Sequence, residues 1–126
     1  IIMAIAIPGY QSQVRKTKRS LAAGELMEVL TRQEQYFVNN KAYSDDLTEL
    51  GYDADGYYID SDGGSSSSAG GSIYKIEFLV KGTSVFTLQA IPQGLQAKDT
   101  LCNTLTITSI GEKDIVGGTA STDECW

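Results

Sequence analysis

The side chains best suited to chemistry in this sequence are carboxylates, hydroxyls and two cysteines, because histidine is absent. Histidine is the commonest general base and the commonest metal ligand. The serine run at residues 65–68 therefore lacks the partner that activates a serine nucleophile. The sequence also contains no CxxC pair and no glycine-rich phosphate motif. We expect no catalytic residues, no cofactor and no enzymatic activity.

Four aspartates interspersed with glycines raise the question of a calcium site: Asp53, Asp55, Asp60 and Asp62. An EF-hand loop alternates oxygen ligands, has glycine at its sixth position and ends on glutamate at its twelfth. Neither Asp53 nor Asp60 begins that pattern. We therefore expect a solvated acidic loop and no metal, with a weak calcium site as the alternative.

The two cysteines, Cys102 and Cys125, lie near the end of the chain. They would be inert thiols in a reducing compartment and would pair in an exported protein. Few hydrophobic residues lie between Gly111 and Glu124 to hold that segment down. Closing a loop of roughly 24 residues would stabilise the fold by roughly 3.4 kcal/mol. We favour the disulfide.

The stretch Ile1–Asn40 organises the chain. It opens on seven apolar residues and continues as an amphipathic segment. Roughly forty helical residues make a rod of about 60 Å, twice the ~30 Å span of a small domain, so part of it must project. Seven apolar residues cannot span a bilayer, which takes about 20. They would be the end of a longer spanning helix, or alternatively a buried helix start, and Pro8 would kink or loosen the rod.

A basic cluster follows the apolar start: Arg15, Lys16, Lys18 and Arg19. After an apolar span, such a cluster is typical of a juxtamembrane anchor to anionic headgroups. The alternative is a solvated helix face. We group these cations with the apolar positions as the residues of an assembly helix: Ile1, Ile2, Ile5, Ile7, Pro8, Arg15, Lys16, Lys18 and Arg19.

The second half of the predicted helix carries an apolar stripe. At about 100° per residue, the stripe spans roughly 140° of the helix surface and should bury against a sheet. Gln33 falls inside it, so its amide should be hydrogen-bonded there. The core stripe comprises Ala22, Leu26, Val29, Leu30 and Phe37.

Beyond Asn40 the sequence predicts an irregular stretch to about Ser72. A short helical turn is predicted over Ser44–Leu50, with Ser44 as its cap, aspartates in its first turn and Gly51 ending it. Residues 60–72 are rich in Asp, Ser and Gly and predict a mobile surface loop.

Alternating patterns predict the strands. Ile73–Val80 and Val85–Ile91 are separated by a hairpin-length connection, Leu105–Ile110 predicts a third strand, and Tyr57–Ile59 a short edge strand. Short links favour antiparallel order. The face expected to meet the helix carries Tyr74, Ile76, Phe78, Val80, Phe86, Leu88 and Ala90.

Charge is distributed unevenly along the chain. Residues 1–41 hold six Lys/Arg and three Asp/Glu, a net of +3, whereas residues 42–126 hold four and thirteen, a net of −9. Binding of nucleic acid depends on neutralising phosphates. We therefore do not expect nucleic acid to be the main partner of the acidic head.

Several motifs resemble type IV pilins. The run Ala6-Ile7-Pro8-Gly9-Tyr10, preceded by Ile5 and followed by the basic cluster, is similar to their N-terminal signature. Further similarity is to the PilE-like pilin subfamily and covers nearly the whole chain. It rests on residues 33–37, Tyr43-Ser44, Leu47, residues 50–52, residues 90–92, Gln96 with Asp99 and Cys102, Gly111 and the final Cys125-Trp126.

The resemblance implies an α+β fold in a single domain, residues 1–126. A long N-terminal helix (1–40) would pack on a roughly four-stranded antiparallel sheet (73–110), with an αβ-loop (41–72) and a C-terminal disulfide-bounded region (102–126). The family's processing site and its glutamate near the mature N-terminus lie upstream of Ile1, which implies an N-terminally truncated pilin.

The resemblance also implies a mechanical function. The chain would be a structural subunit of a bacterial type IV pilus that supports adhesion, motility or surface contact. Its partners would be other pilin subunits, the pilus assembly machinery and, before assembly, the inner membrane with the head in the periplasm. The alternatives are a type II secretion pseudopilin and a pilus-tip module that binds a surface, DNA or an electron acceptor. A bound calcium ion would favour the pseudopilin.

Overall fold

A long helix packed on an antiparallel sheet forms the molecule, in agreement with the predicted α+β fold. The computed structural model describes residues 2–126, with side chains from Gly9 onward. Helix α1 runs over Ile2–Asn40, and a short helix α2 covers Thr122–Cys125 near the end of the chain. Over the described part of the chain, no helix combines the length and apolarity needed to cross a membrane.

The sheet has six antiparallel strands in the order β2-β1-β3-β4-β5-β6, two more than the four predicted. The strands are β1 (Tyr57–Ile59), β2 (Ser65–Ser66), β3 (Tyr74–Val80), β4 (Thr87–Pro92), β5 (Asn103–Thr108) and β6 (Lys113–Gly117). The additional strands, β2 and β6, are the two edges. Both are largely exposed, so neither carries the alternation that indicates a half-buried strand.

The core lies between α1 and the inner face of the sheet. Ala22, Leu26 and Val29 are fully buried and Leu30 is partly buried. Phe37 departs from the expectation, because 40% of its surface stays exposed. It lies near the end of α1, where its ring packs on Tyr43 rather than on the sheet.

The inner sheet face matches the alternation in the sequence. Its buried members are Tyr74, Ile76, Phe78, Phe86, Leu88 and Ala90, joined by Leu105 and Ile107 from β5. Val80 was expected on this face but is 49% exposed, since a bulge between Phe78 and Val80 shifts the register with β4. Apolar burial of this kind supplies most of the free energy that holds α1 to the sheet.

Gln33 is hydrogen-bonded within the core, as predicted. Its amide donates to the Ser44 carbonyl at 2.7 Å and accepts from the Ser44 amide at 2.8 Å, which ties α1 to the start of the αβ-loop. The predicted cap at Ser44 is wrong. A 3-10 helix over Leu47–Leu50 is capped instead by Asp46, whose carboxylate accepts from the Thr48 amide, and Gly51 ends it at φ 98° as predicted.

The disulfide between Cys102 and Cys125 is present, with Cα atoms 5.6 Å apart. It joins the start of β5 to α2. Both cysteines are buried, at 1% and 5% exposure. Trp126 also fixes the end of the chain to the sheet, because its indole N–H donates to the carbonyl of Asp114 in β6 at 2.9 Å.

Candidate functional site

The site of interest is the neck, where α1 leaves the head. There α1 contacts a 3-10 helix over Gly94–Lys98, which we call the neck turn. Gln96 of this turn is 2% exposed. Its amide donates to the backbone carbonyl of Arg15 at 3.1 Å and to the hydroxyl of Tyr74 at 3.0 Å. The neck turn is thereby fixed to both the helix and β3.

Burial raises the pKa of Tyr74 to about 12, so its hydroxyl keeps its proton at any physiological pH. A neutral hydroxyl can accept the bond from Gln96 while its own proton remains available. The buried polar contact at the neck is therefore insensitive to pH.

An ion pair forms the second attachment at the neck. The Arg19 guanidinium donates to the Asp99 carboxylate at 2.9 Å, and the two side chains are 9% and 2% exposed. Arg19 was expected in the cluster that anchors the chain to headgroups. That expectation is wrong for Arg19, because its charge is buried inside the head and neutralised by Asp99.

The run Gln96–Asp99–Cys102 now has a structural explanation. At intervals of three residues it provides a hydrogen bond to α1, an ion pair to α1 and a disulfide to α2. The Asn103 amide also donates to the Asp99 carbonyl at 2.9 Å. The hydrogen bond, the ion pair and the disulfide together hold the segment between β4 and β5 in place beside α1.

A furrow runs between this β4–β5 segment and α1; we call it the neck furrow. It encloses about 190 Å³ and is lined by Tyr10, Gln11, Val14, Arg15, Lys18, Leu95, Gln96 and Lys98. A second groove of about 340 Å³ shares Lys18, Leu95 and Gln96 with it. This groove extends the furrow over Gln93 and Ser72 towards the serine- and glycine-rich loop.

Three cations in the neck furrow carry charge that the protein does not neutralise. Among the described side chains, no carboxylate comes within ion-pair distance of Arg15, Lys18 or Lys98. The buried carboxylate of Asp99 is already paired with Arg19. The furrow therefore presents a local net charge of about +3 to solvent.

The structure divides the predicted basic cluster. Arg15 and Lys18 line the furrow, Arg19 is buried, and Lys16 lies about 100° around the helix from Arg15, outside the furrow. Lys98 was missed by the sequence reasoning. Its position two residues after Gln96 could have indicated it. If Gln96 bonds to α1, Lys98 must also lie close to that helix.

The apolar part of the predicted assembly helix falls outside the described side chains. Ile1, Ile2, Ile5, Ile7 and Pro8 therefore remain predictions. From Gly9 to Gln13 and again at Lys16, Thr17 and Ser20, the helix surface is exposed.

Two of the four aspartates considered as calcium ligands, Asp55 and Asp60, make local contacts. The Asp55 carboxylate pairs with Lys81 and accepts from the Leu47 amide. Asp60 closes its own turn by accepting from the amides of Asp62 and Gly64, each at 2.9 Å. Within the described residues, no three such side chains are grouped to hold a metal ion.

A second carboxylate lies against the tyrosines of the core. The Tyr57 hydroxyl donates to Glu25 at 2.6 Å, and its ring stacks on Tyr52 at 4.4 Å between centroids. Burial raises the pKa of Glu25, although the bond from Tyr57 opposes that rise. Arg32 lies over the Tyr52 ring at 4.6 Å. These contacts brace α1 against β1.

Comparison with known proteins identifies the family. A family described as type IV minor pilin ComP, DNA uptake sequence receptor, matches residues 8–106, and no curated protein gives a significant match. The type IV pilin resemblance is confirmed, whereas the finer PilE-like placement is not supported. The expectation that nucleic acid is not the main partner is also not borne out, since the family is described as a DNA receptor. Because the match covers most of α1 and most of the sheet, this chain belongs to the type IV minor pilin ComP family.

Proposed function

We propose that this chain is a minor subunit of a type IV pilus that binds double-stranded DNA during its uptake. The observation that carries the proposal is the family match over residues 8–106, because the family is described as the receptor of a DNA uptake sequence. DNA was among the tip ligands considered from the sequence. The uncompensated cations of the neck furrow support the proposal, since DNA binding requires cations that can displace counterions.

Assembly into a filament is the structural part of the proposed function. The helix surface between Gly9 and Ser20 is largely exposed on the isolated subunit. In the pilus, other pilin subunits would cover the exposed side of this helix that lies outside the neck furrow and carries Gln13, Lys16 and Ser20, with the head on the outside. Before assembly, the subunit would wait in the inner membrane with its head in the periplasm, available to the assembly machinery.

Other roles have less support. The family match favours a pilin over a type II secretion pseudopilin. Adhesion, motility and electron transfer stay predictions from the general resemblance, because no residue contact favours any of them.

A selection experiment tests the proposed function. Sheared genomic DNA of the source organism is passed over the immobilised chain, and the retained fragments are sequenced. We expect one short sequence to be enriched relative to the input, as a receptor for an uptake sequence requires. Beads without protein give the background. Retained fragments with the composition of the input, or no retention at low salt, would contradict the proposal.

A further inference from the structure

We propose that the neck furrow is the place where this chain holds the phosphates of duplex DNA, through Arg15, Lys18 and Lys98. The inference rests on the proposed function and adds the location of the site. A DNA duplex carries about one negative charge per 1.7 Å of its axis, so even a short furrow meets several phosphates.

The cations of the neck furrow form no ion pair with the carboxylates of the described chain. Elsewhere in the described chain, Lys75 pairs with Glu77, Lys81 with Asp55 and Arg32 with Glu28. Lys16, Lys41 and Lys113 also have no ion pair there, but they lie outside the furrow. A paired cation must break its ion pair with the carboxylate before it can bind a phosphate. The cations of the furrow have no such contact, so a phosphate gains their full attraction.

The neck furrow brings together cations from two separate elements of the fold. Arg15 and Lys18 project from α1, whereas Lys98 belongs to the neck turn. Gln96 and the Arg19–Asp99 pair hold those elements together from inside. Three cations on a prearranged frame lose less conformational entropy on binding than three on independent loops.

The neck furrow continues into the adjoining groove. Lys18 lines both the furrow and the adjoining groove, which extends the path to Gln93 and Ser72. Side-chain amides and hydroxyls commonly contact DNA phosphates alongside Lys and Arg. A strand that lies on the cations can therefore continue over neutral hydrogen-bonding groups. Contacts of this kind position the duplex and carry no sequence information directly.

A second copy of the chain is the rival occupant. Its head carries a net charge of −9, and Tyr10 and Leu95 are 69% and 74% exposed at the furrow. The local contacts of Asp55 and Asp60 reduce the attraction that these carboxylates can offer. The phosphates of DNA are not engaged in contacts of this kind. The structure therefore favours DNA over a second copy of the chain as the occupant of the furrow.

The test compares variants that remove the same charge at different positions. The triple variant Arg15→Ala, Lys18→Ala, Lys98→Ala is compared with a control that removes three exposed cations outside the furrow, Lys16→Ala, Lys41→Ala, Lys113→Ala. Binding of a fluorescent random duplex of about 20 base pairs is measured by anisotropy at low salt. We expect the furrow variant to bind at least about tenfold more weakly than the unaltered chain, and the control variant to lose much less affinity.

The design separates folding from binding. None of the three substituted side chains makes a hydrogen bond or ion pair within the described residues, so the melting temperature should hardly change. If the triple variant melts early, the single exchange Lys98→Ala at the exposed end of the neck turn replaces it. A loss of affinity with unchanged melting supports the site.

The outcomes distinguish the site from the function. If the unaltered chain binds no DNA, the proposed function fails. If it binds and the triple variant binds equally well, the neck furrow is not the site although the function stands. An equal loss in the control Lys16→Ala, Lys41→Ala, Lys113→Ala would mean that net charge alone matters and would overturn the inference. Self-association that the triple exchange abolishes, with DNA binding unchanged, would assign the furrow to a second copy.

Discussion

The neck and the αβ-loop use their charged residues in opposite ways. In the αβ-loop, carboxylates complete local structure: Asp46 caps a 3-10 helix, Asp60 closes a turn, and Asp55 pairs with Lys81. At the neck, Arg19 is buried and paired with Asp99, while its neighbours Arg15 and Lys18 remain unpaired in the furrow. The chain is therefore acidic overall but presents a local cationic surface. Its net charge of −6 says little about which partner it binds.

The buried pair at the neck should give the largest effect on stability. The exchange Asp99→Ala leaves the Arg19 guanidinium buried without its counter-charge, which costs about 3–5 kcal/mol of unfolding free energy. Urea unfolding followed by circular dichroism measures this. The double exchange Arg19→Met, Asp99→Leu replaces the pair by apolar groups and should restore most of the loss. A small effect of Asp99→Ala alone would mean that the pair does not hold the neck.

The exposed pair of the αβ-loop should give a far smaller effect. Hydrogen bonding to Asp55 raises the pKa of Lys81, but the side chain is 54% exposed and water screens the pair. The exchange Lys81→Ala should therefore leave the urea midpoint within experimental error. A loss similar to that of Asp99→Ala would refute the contrast between the buried and the exposed pair.

A small effect of the opposite sign should come from Glu25, a half-buried carboxylate of α1. Burial raises its pKa, so the folded chain binds its proton more readily than the unfolded chain does. Stability should therefore rise as the pH falls through the raised pKa, and the rise should end below the ordinary value of 4.5. The exchange Glu25→Gln should remove this contribution and slightly stabilise the chain at neutral pH.

Thermal melting as a function of pH tests that sign. The side-chain amide oxygen that the exchange introduces can still accept from Tyr57, so the comparison isolates the charge. A variant that is less stable than the unaltered chain at neutral pH would show that the ionised carboxylate is favourable there.

Periodicity in the sequence accounts for the elements that face the core. The stripe through Leu26 and the alternation through Ile76 and Leu88 appear in the sequence because each has one buried face. The hydrogen bond of Gln33 followed from the same stripe, since a polar side chain in an apolar arc needs a partner. Edge strand β6 could not be predicted, because its side chains are mostly exposed and its position depends on pairing with β5.

The candidate site was only partly predictable. Arg15 and Lys18 stood out as cations near an apolar segment, but the sequence offered a membrane surface as their partner. Arg19 and Asp99 are separated by 80 residues, so their pairing follows from the packed fold rather than from a local pattern. The Gln96 motif was noticed through the family resemblance, whereas its contact with the Arg15 carbonyl required the structure.

The salt dependence of DNA binding tests the central claim most directly. If three uncompensated cations contact phosphates, the logarithm of the binding constant should fall against the logarithm of the salt concentration with a slope of about −3. The unaltered chain and a random duplex suffice for the measurement. We predict binding at low salt with a slope of that size. A slope near zero, or no binding at low salt, would contradict the claim that the neck furrow makes an acidic pilin a DNA-binding protein.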